Sequence, residues 1–214
     1  MVLHKEEEAA DAPPHLKAGA EFGVSQAKAA GHAVTAFVHN AGDYDVPDVE
    51  VREGDATDPA AVDAALAGQD AVIDTIGGKT PYKATTLESS AARTIIASMQ
   101  RQGVRRLMVT SAIGEGDSIA NMPVYQRLLL PTFLRGSTPD KAQMEEAVEA
   151  SDLDWVIVRP AILNDDPATG NVRVYTPESG DKARKITRAE LASFLVAQLS
   201  TDEHLRRAVT IANG

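Results

Sequence analysis

The sequence of 214 residues contains no cysteine. This absence excludes disulfide bonds, thiolate metal ligands and a cysteine nucleophile. The sequence also lacks any hydrophobic run near the roughly 18 residues that a membrane-spanning helix needs. Its N-terminus has no basic start followed by an apolar stretch, so we expect no signal peptide, no membrane partner and a cytoplasmic location.

Basic residues are few, because 21 Lys and Arg stand against 31 Asp and Glu, for a net charge of -10. A field of this sign repels phosphate polymers, so we expect no nucleic-acid partner. The five histidines show no spacing typical of ligands, and we therefore expect no metal site. What remains is a hydrophobic content of 43%, which is enough to bury one core.

From Gly31 onward, short β-branched runs alternate with longer helical stretches. This alternation predicts an α/β fold with a doubly wound parallel sheet, in a single domain over residues 1–214. The predicted strands are residues 33–38, 49–51, 71–76, 107–110, 155–158 and 209–211. The predicted helices are residues 59–66, 86–102, 122–134 with an interruption at Pro131, 138–150, and a segment opened by the capping box from Thr187 to Glu190. Residues 159–176 are predicted to form one long loop.

Ligands of open parallel sheets lie beyond the carboxyl ends of the strands. The residues that directly follow the predicted strands are therefore the candidates for a binding site. They are His39, Asn40, Gly54, Asp55, Ala56, Ile76, Gly77, Gly78, Thr110, Ser111, Ala112, Arg159, Pro160 and Ala161.

Several short segments occur in the order and spacing of a known family, although each is weak alone. They are residues 31–35, 54–57, 67–73, 103–106, 110–112, 153–155, 158–160 and 166–170. With them the chain resembles the atypical short-chain dehydrogenase/reductase superfamily. Within it, the resemblance is to the small NAD(P)H-binding proteins that include flavin reductase (biliverdin-IXβ reductase) and the nitrogen-metabolite-repressor-like regulators. The resemblance implies a Rossmann-like fold, NADP or NAD as cofactor, a small-molecule substrate, and a monomer or homodimer.

At the adenine end, the resemblance assigns Asp55 and Ala56 to the base. His39 stands where the family has an arginine that pairs with the 2′-phosphate of NADP. Because a neutral imidazole holds a phosphate less well than a guanidinium, the choice between NADP and NAD stays open. The alternative for Asp55 is a cap of the helix that starts at Pro59.

Around the cofactor ribose and nicotinamide, the resemblance assigns a loop, a strand end and a lysine. The loop of Ile76, Gly77 and Gly78 packs on the ribose, with a simple turn as the alternative. Ser111, directly after Thr110, lies close to the nicotinamide and the substrate, and Lys141 grips the nicotinamide ribose; both are the predicted catalytic residues. The alternatives are a turn serine and an exposed helical lysine. Arg159, Pro160 and Ile162 complete the predicted cofactor site.

Two departures from the family concern the proton donor. Ser137 stands four residues before Lys141, where the family has a tyrosine acid, and a serine hydroxyl is far too weak an acid to replace it. Ile162 corresponds to the histidine of flavin reductase. Tyr125 is the nearest alternative, but it is followed by Leu129 rather than by a lysine. The sequence thus shows no evident proton donor.

We therefore carry two hypotheses. The first is an NAD(P)H-dependent oxidoreductase of the flavin-reductase-like group that acts on a small planar acceptor. The alternative is a catalytically inactive dinucleotide-fold sensor or protein-binding regulator. Epimerase or dehydratase chemistry is disfavoured by the missing tyrosine.

The largest departure is at the N-terminus, where family members have a strand that runs into Gly-x-x-Gly-x-x-Gly. Here residues 5–14 carry four carboxylates and two prolines instead. Only Val2, Leu3 and His4 remain to supply the central strand, unless a partner chain fills the gap. We expect residues 1–20 to be atypical and mobile, with an acidic loop over the pyrophosphate site and a helix that ends near Ala30 and is stopped by Gly31.

The missing glycine loop predicts weak dinucleotide binding. Each lost charge-assisted hydrogen bond to the pyrophosphate is worth about 1.5 to 3 kcal/mol, so several decades of affinity are at stake. Calorimetric titration with NADPH and NADH should give dissociation constants weaker than micromolar. A chain in which residues 4–20 are replaced by a family-type strand and glycine loop should gain both affinity and Tm. Micromolar binding by the natural chain would contradict this prediction.

Overall fold

The computed structural model describes residues 2–4, 14–43, 46–77, 83–133 and 136–214. In these ranges the strands are β1 (Val2–His4), β2 (Thr35–Val38), β3 (Glu50–Glu53), β4 (Ala71–Asp74), β5 (Arg106–Thr110), β6 (Asp154–Pro160), β7 (Ile162–Asn164), β8 (Val172–Tyr175), β9 (Lys185–Thr187) and β10 (Arg207–Asn213). The helices are α1 (Pro14–Ala29), α2 (Pro59–Leu66), α3 (Leu87–Gln102), α4 (Val124–Phe133), α5 (Thr138–Glu149) and α6 (Arg188–Ala197). None of these helices is long and apolar enough to cross a membrane.

Eight strands form one sheet in the order β3-β2-β1-β4-β5-β6-β10-β8, and β7 pairs with β9 beside it. The strands of the large sheet are parallel except β8, which runs antiparallel to β10. The predicted Rossmann-like α/β fold is therefore confirmed. The connections reverse direction between β1 and β4, and this reversal is where such sheets bind dinucleotides.

The short N-terminal strand lies at the centre of the sheet. Leu3 is in register with Phe37 of β2 on one side and with Asp74 of β4 on the other. The chain itself, rather than a partner, thus fills the position of the first strand, which was one of the two options left by the sequence.

Helices cover both faces of the sheet, because successive side chains of a strand point to opposite faces. On β5, Leu107 and Val109 pack against the core under α2, α3 and α5. Met108, between them, packs against the core under α1 and α6. This alternation decides which side chains at the strand ends face the candidate site.

Local signals predicted most elements correctly. Residues 59–66 form α2 as predicted, with Asp58 as its N-cap and Pro59 in its first turn. α1 ends at Ala29, before Gly31, as expected. Of the predicted atypical N-terminus, residues 2–4 form a strand and α1 begins at Pro14. The predicted acidic loop falls on residues 5–13, which lie outside the described residues, so it stays a prediction.

Three sequence predictions are wrong. The stretch 159–176 is not one loop, because β6 continues to Pro160 and both β7 and β8 follow. Residues 71–76 are not all strand, since β4 ends at Asp74, where the Asp74 carboxylate accepts a hydrogen bond from the amide of Ile76. α4 runs through Pro131, which lies two residues before the helix ends, so the helix is not interrupted there; the missing proline N–H costs one backbone hydrogen bond.

Glu190, in the first turn of α6, joins three parts of the fold. One carboxylate oxygen accepts hydrogen bonds from the amide of Thr169 at 2.7 Å, its hydroxyl at 2.8 Å and the amide of Gly170 at 2.9 Å. The other accepts from the hydroxyl of Thr187 at 2.8 Å and from Asn213 at 2.6 Å. Burial raises the pKa of Glu190, but these hydrogen bonds outweigh it and lower the pKa to about 2.

Replacing Glu190 with Gln should therefore cost stability in a pH-dependent way. The folded-state pKa is depressed from 4.5 to about 2, so the stabilisation is fully present above the unfolded-state pKa. It is lost as the pH falls through 4.5 towards 2, and it amounts to about 3 kcal/mol at neutral pH. Urea unfolding between pH 7 and pH 3 should show a shallower pH dependence for E190Q than for the natural chain. The exposed Glu178→Gln variant is the control and should match the natural chain.

Candidate functional site

The carboxyl ends of the parallel strands meet at one edge of the sheet, and a cavity of about 290 Å³ opens there beyond β5. Its walls are the loop after β5 from Ala112 to Glu115, Met122, Arg127 of α4 and the first turn of α5. The cavity thus lies beside the strand end to which the resemblance assigns the nicotinamide and the substrate.

Ser111 lies directly after β5 and is 4% exposed. The alternation along the strand puts its side chain on the face of Val109, under α3 and α5. Its amide donates to the carbonyl of Val158 at 2.8 Å, but its hydroxyl has no hydrogen-bond partner among the described residues. The hydroxyl of Thr110 is also without a partner there and belongs to the opposite face.

Lys141 lies on α5 and lines the cavity together with Ser137, which stands in the place of the missing tyrosine. The Lys141 side chain is 17% exposed, and its Nζ donates to the carboxylate of Glu88 on α3 at 2.5 Å. The alternative of an ordinary exposed lysine is therefore wrong.

The neighbouring Asp140, which lies on α5, caps the N-terminus of α3. Its two carboxylate oxygens accept hydrogen bonds from the amides of Glu88 at 2.9 Å and Ser89 at 3.0 Å. A carboxylate at a helix N-terminus satisfies unpaired amides and complements the helix dipole. Asp140 and Lys141 together fix the first turn of α3 against α5.

Arg159 lies within β6 rather than after it, and its side chain is committed to two carboxylates. Its guanidinium donates to Glu145 of α5 at 3.0 and 2.6 Å and to Asp117 at 2.6 Å. Arg159 and Glu145 are both buried, at 6% and 7% side-chain exposure. This arrangement favours a structural role for Arg159, and its predicted cofactor contact stays a prediction.

Two buried carboxyl groups were not recognised in the sequence. Asp74, at the end of β4, has its pKa raised to about 7 by burial, together with the charge of Glu88. Glu115, in the loop after β5, has its pKa raised to about 7 by burial and by the charge of Glu145. The available signals were an acidic residue inside the apolar run 71–76 and an acidic residue three positions after the strand-end segment 110–112.

At the predicted adenine end, His39 directly follows β2, and its half-buried ring has no partner for Nδ1 within the described ranges. The Asp55 carboxylate accepts from the amide and the hydroxyl of Thr57, both at 2.8 Å. The helix cap is Asp58, which accepts from the amide of Ala60 at 3.0 Å, so the reading of Asp55 as the cap is wrong. Ala56 is buried beside it at 2% exposure.

The remaining predicted site residues are placed as follows. Ile76 is 4% exposed, and the space above Gly77 is open, since a Cβ there would meet nothing within 4 Å. Gly78 lies outside the described residues. Pro160 ends β6, and Ile162, at 43% exposure, begins β7. Their contacts with a cofactor stay predictions.

The unpartnered polar atoms allow a test of whether a dinucleotide fits this edge. Buried polar groups are normally hydrogen-bonded, so an orphaned one calls for a ligand or water. His39 Nδ1 lies at the end of β2 and Ser111 Oγ at the end of β5, on the two sides of the reversal between β1 and β4. The resemblance predicts the adenine and nicotinamide ends at these two positions, so an orphaned polar atom is available to a dinucleotide at each, and the contacts themselves stay predictions.

Comparisons with known proteins identify the family of the chain as NAD(P)H-binding. A family model described as NAD(P)H-binding matches residues 20–202. The chain is 29% identical over 160 residues to YhfK, an uncharacterised sugar epimerase of Bacillus subtilis, covering 73% of this chain and 69% of YhfK.

Solved structures share the fold. ChuY, an anaerobillin reductase from Escherichia coli O157:H7, superimposes with a TM-score of 0.73 at 21% identity over 100% of this chain and 97% of ChuY. A short-chain dehydrogenase/reductase from Veillonella parvula in complex with NADP gives a TM-score of 0.69 at 15% identity, over 99% of this chain and 94% of that one. At these identities the likeness shows the fold alone.

The Arg159–Glu145 pair generates a stability prediction. Arg159→Met leaves Glu145 buried without its cation and should cost about 3 to 5 kcal/mol. The double variant Arg159→Met with Glu145→Met should recover most of that loss, because no uncompensated charge remains. Urea unfolding of the two single variants and the double variant measures this coupling. Additive effects of the two substitutions would show that the pair is not coupled.

Proposed function

The chain belongs to the NAD(P)H-binding family of atypical short-chain dehydrogenases/reductases and epimerases, and from this premise we propose that it reduces a small planar acceptor with a nicotinamide dinucleotide. The observation that carries the proposal is the cavity of about 290 Å³ beyond β5, whose wall begins at Ala112, the residue next to Ser111 with its unpartnered buried hydroxyl. Ligand pockets usually measure about 300 to 1,000 Å³, so this space suits a small acceptor.

The walls of the cavity support a flat, largely apolar acceptor. Ile113, Ile119 and Met122 contribute apolar surface, whereas Arg127 contributes positive charge and Lys141 an ammonium group paired with Glu88. Apolar walls with a few placed polar groups are typical of small-molecule sites. A conjugated ring that carries a carbonyl would meet both kinds of surface.

The chain's own residues would hold and orient the cofactor. His39, Asp55 and Ala56 would bind the adenine half, and Ser111 and Lys141 the nicotinamide half. When bound, the reduced dinucleotide supplies a hydride. Lys141 Nζ is held by Glu88 through one hydrogen bond, and an ammonium has three donors, so others remain for a ribose hydroxyl.

A second candidate function is a dinucleotide-fold sensor or regulator without catalysis. The observation that favours it is the start of α1 at Pro14, with no glycine-rich phosphate loop before it. The two candidates differ in one respect, because only the first predicts turnover.

Turnover is tested by mixing the protein with NADPH or NADH and menadione, a small planar quinone, and following the nicotinamide absorbance. Oxidation that depends on menadione supports the reductase. Dinucleotide binding without oxidation, over a panel of quinones and flavins, would support the sensor, and no binding at millimolar dinucleotide would reject both.

Ser111→Ala separates a functional hydroxyl from a structural one. Because the Ser111 hydroxyl has no partner among the described residues, its removal should leave Tm unchanged or slightly raised. Loss of one hydrogen bond to ligand should lower kcat/KM about tenfold. Ser193→Ala, on the exposed face of α6, is the control for both measurements. A fall in Tm with unchanged kcat/KM would contradict the assignment.

A further inference from the structure

Glu115 reaches the cavity from the loop that follows β5, and it is 7% exposed. No hydrogen bond or ion pair engages its carboxylate among the residues that the structure describes. A buried carboxyl group without a partner is costly, so it calls for a functional explanation. It also lines the same cavity as Lys141 and Ser137.

The backbone on each side of Glu115 holds it in place. Gly114 has φ 108° and Gly116 has φ 53°, values that favour glycine. A Cβ on Gly116 would lie 2.7 Å from the guanidinium of Arg159. The carbonyl of Glu115 accepts from the Ser118 hydroxyl at 2.5 Å, and that hydroxyl accepts from the amide of Gly114 at 2.9 Å. The loop is thus closed on itself with Glu115 at the cavity.

The cations near Glu115 are already committed to other carboxylates. Lys141 is bound to Glu88, and Arg159 is bound to Glu145 and Asp117. Because the charge of each cation is shared in this way, neither fully offsets the burial of Glu115.

One further charged group, the exposed Arg127 of α4, lines the cavity. Burial and the charge of Glu145 together raise the pKa of Glu115 to about 7. The charge of the buried Glu88 on α3 also raises the pKa of Glu115. Near neutral pH a large share of Glu115 is therefore protonated.

Glu115 is a candidate for the proton donor that the sequence does not show. Reduction of a carbonyl or quinone needs a proton as well as a hydride, and Ser137 replaces the tyrosine that would have supplied it. A general acid works best when its pKa is near the working pH. Glu115 combines that property with a position at the cavity.

We propose that Glu115 is the catalytic acid, and that its neutral carboxyl group donates a proton to the oxygen or nitrogen of the acceptor bound in this cavity. The inference rests on the proposed function. The O–H bond of Glu115 breaks and a new bond to hydrogen forms on the acceptor, which gains a hydride from the reduced nicotinamide dinucleotide and is thereby reduced by two electrons. The dinucleotide is oxidised, and water returns a proton to the Glu115 carboxylate.

The kinetic test compares Glu115→Gln with the natural chain, with NADPH as donor and menadione as acceptor. E115Q should lower kcat by about 100-fold or more, which is the usual contribution of a general acid. The natural chain should lose kcat as the pH rises through about 7, and E115Q should lack that limb of the profile. Glu115→Asp should restore part of the activity. The exposed Glu146→Gln variant on α5 is the control.

Three readouts do not depend on turnover. Carbon-13 NMR of labelled glutamate side chains, assigned by comparison with E115Q, should show a Glu115 titration midpoint near 7. Calorimetry should give equal NADPH affinities for E115Q and the natural chain, because the inferred role is proton transfer. The raised pKa of Glu115 destabilises the folded chain above pH 4.5, so E115Q should have a higher Tm than the natural chain at pH 8. For the same reason the E115Q variant should fold.

The outcomes distinguish the two proposals. A natural chain that neither binds NADPH nor reduces menadione, quinones or flavins would overturn the proposed function and this inference with it. A natural chain that reduces menadione while E115Q keeps kcat within threefold would overturn the role of Glu115 alone. A titration midpoint of Glu115 below 5 would also overturn the role of Glu115, whatever the values of kcat.

Discussion

Two cations, the buried Arg159 and the partly buried Lys141, hold the carboxyl edge of the sheet together. Arg159 of β6 binds Glu145 of α5, and Lys141 of α5 binds Glu88 of α3. A buried charge that loses its partner costs several kcal/mol, so each pair forces the two elements that carry it to dock. Asp140 adds two hydrogen bonds from α5 to the first turn of α3. The shape of the cavity therefore depends on charge pairing as well as on apolar packing.

Elements with strong local signals were predictable from sequence. Asp58 and Pro59 mark the start of α2, and Thr187 with Glu190 marks the start of α6. The strands of residues 162–164 and 172–175 were missed because they are short and partly exposed, and because their partners β9 and β10 lie farther along the chain. Pairing at long range decides such strands, and local sequence does not encode the partner.

The candidate site was predictable only in part. The family resemblance assigned Ser111 and Lys141 to the site. The structure places Ser111 directly after β5 and Lys141 on α5 at the wall of the cavity, and their contacts with a cofactor stay predictions. The partner of Arg159 was not predictable, since its contact with Glu145 requires the docked position of α5. Nor was the burial of Glu115, because an acidic residue between two glycines is typical of an exposed turn. Burial of a carboxyl group is a property of the assembled fold.

The choice of acid follows from the state of Lys141. A tyrosine has an ordinary pKa of about 10 and becomes a useful acid near neutrality only if a nearby positive charge lowers that pKa. Here Glu88 binds Lys141 at 2.5 Å, so a phenol at position 137 would experience a largely neutral pair. A carboxyl group starts from about 4.3 and needs the opposite influence, burial and nearby negative charge, to approach neutrality. Glu115 has both, through its burial and through Glu145. An electrostatic environment that neutralises the lysine is thus poorly suited to a tyrosine acid and well suited to a glutamic acid.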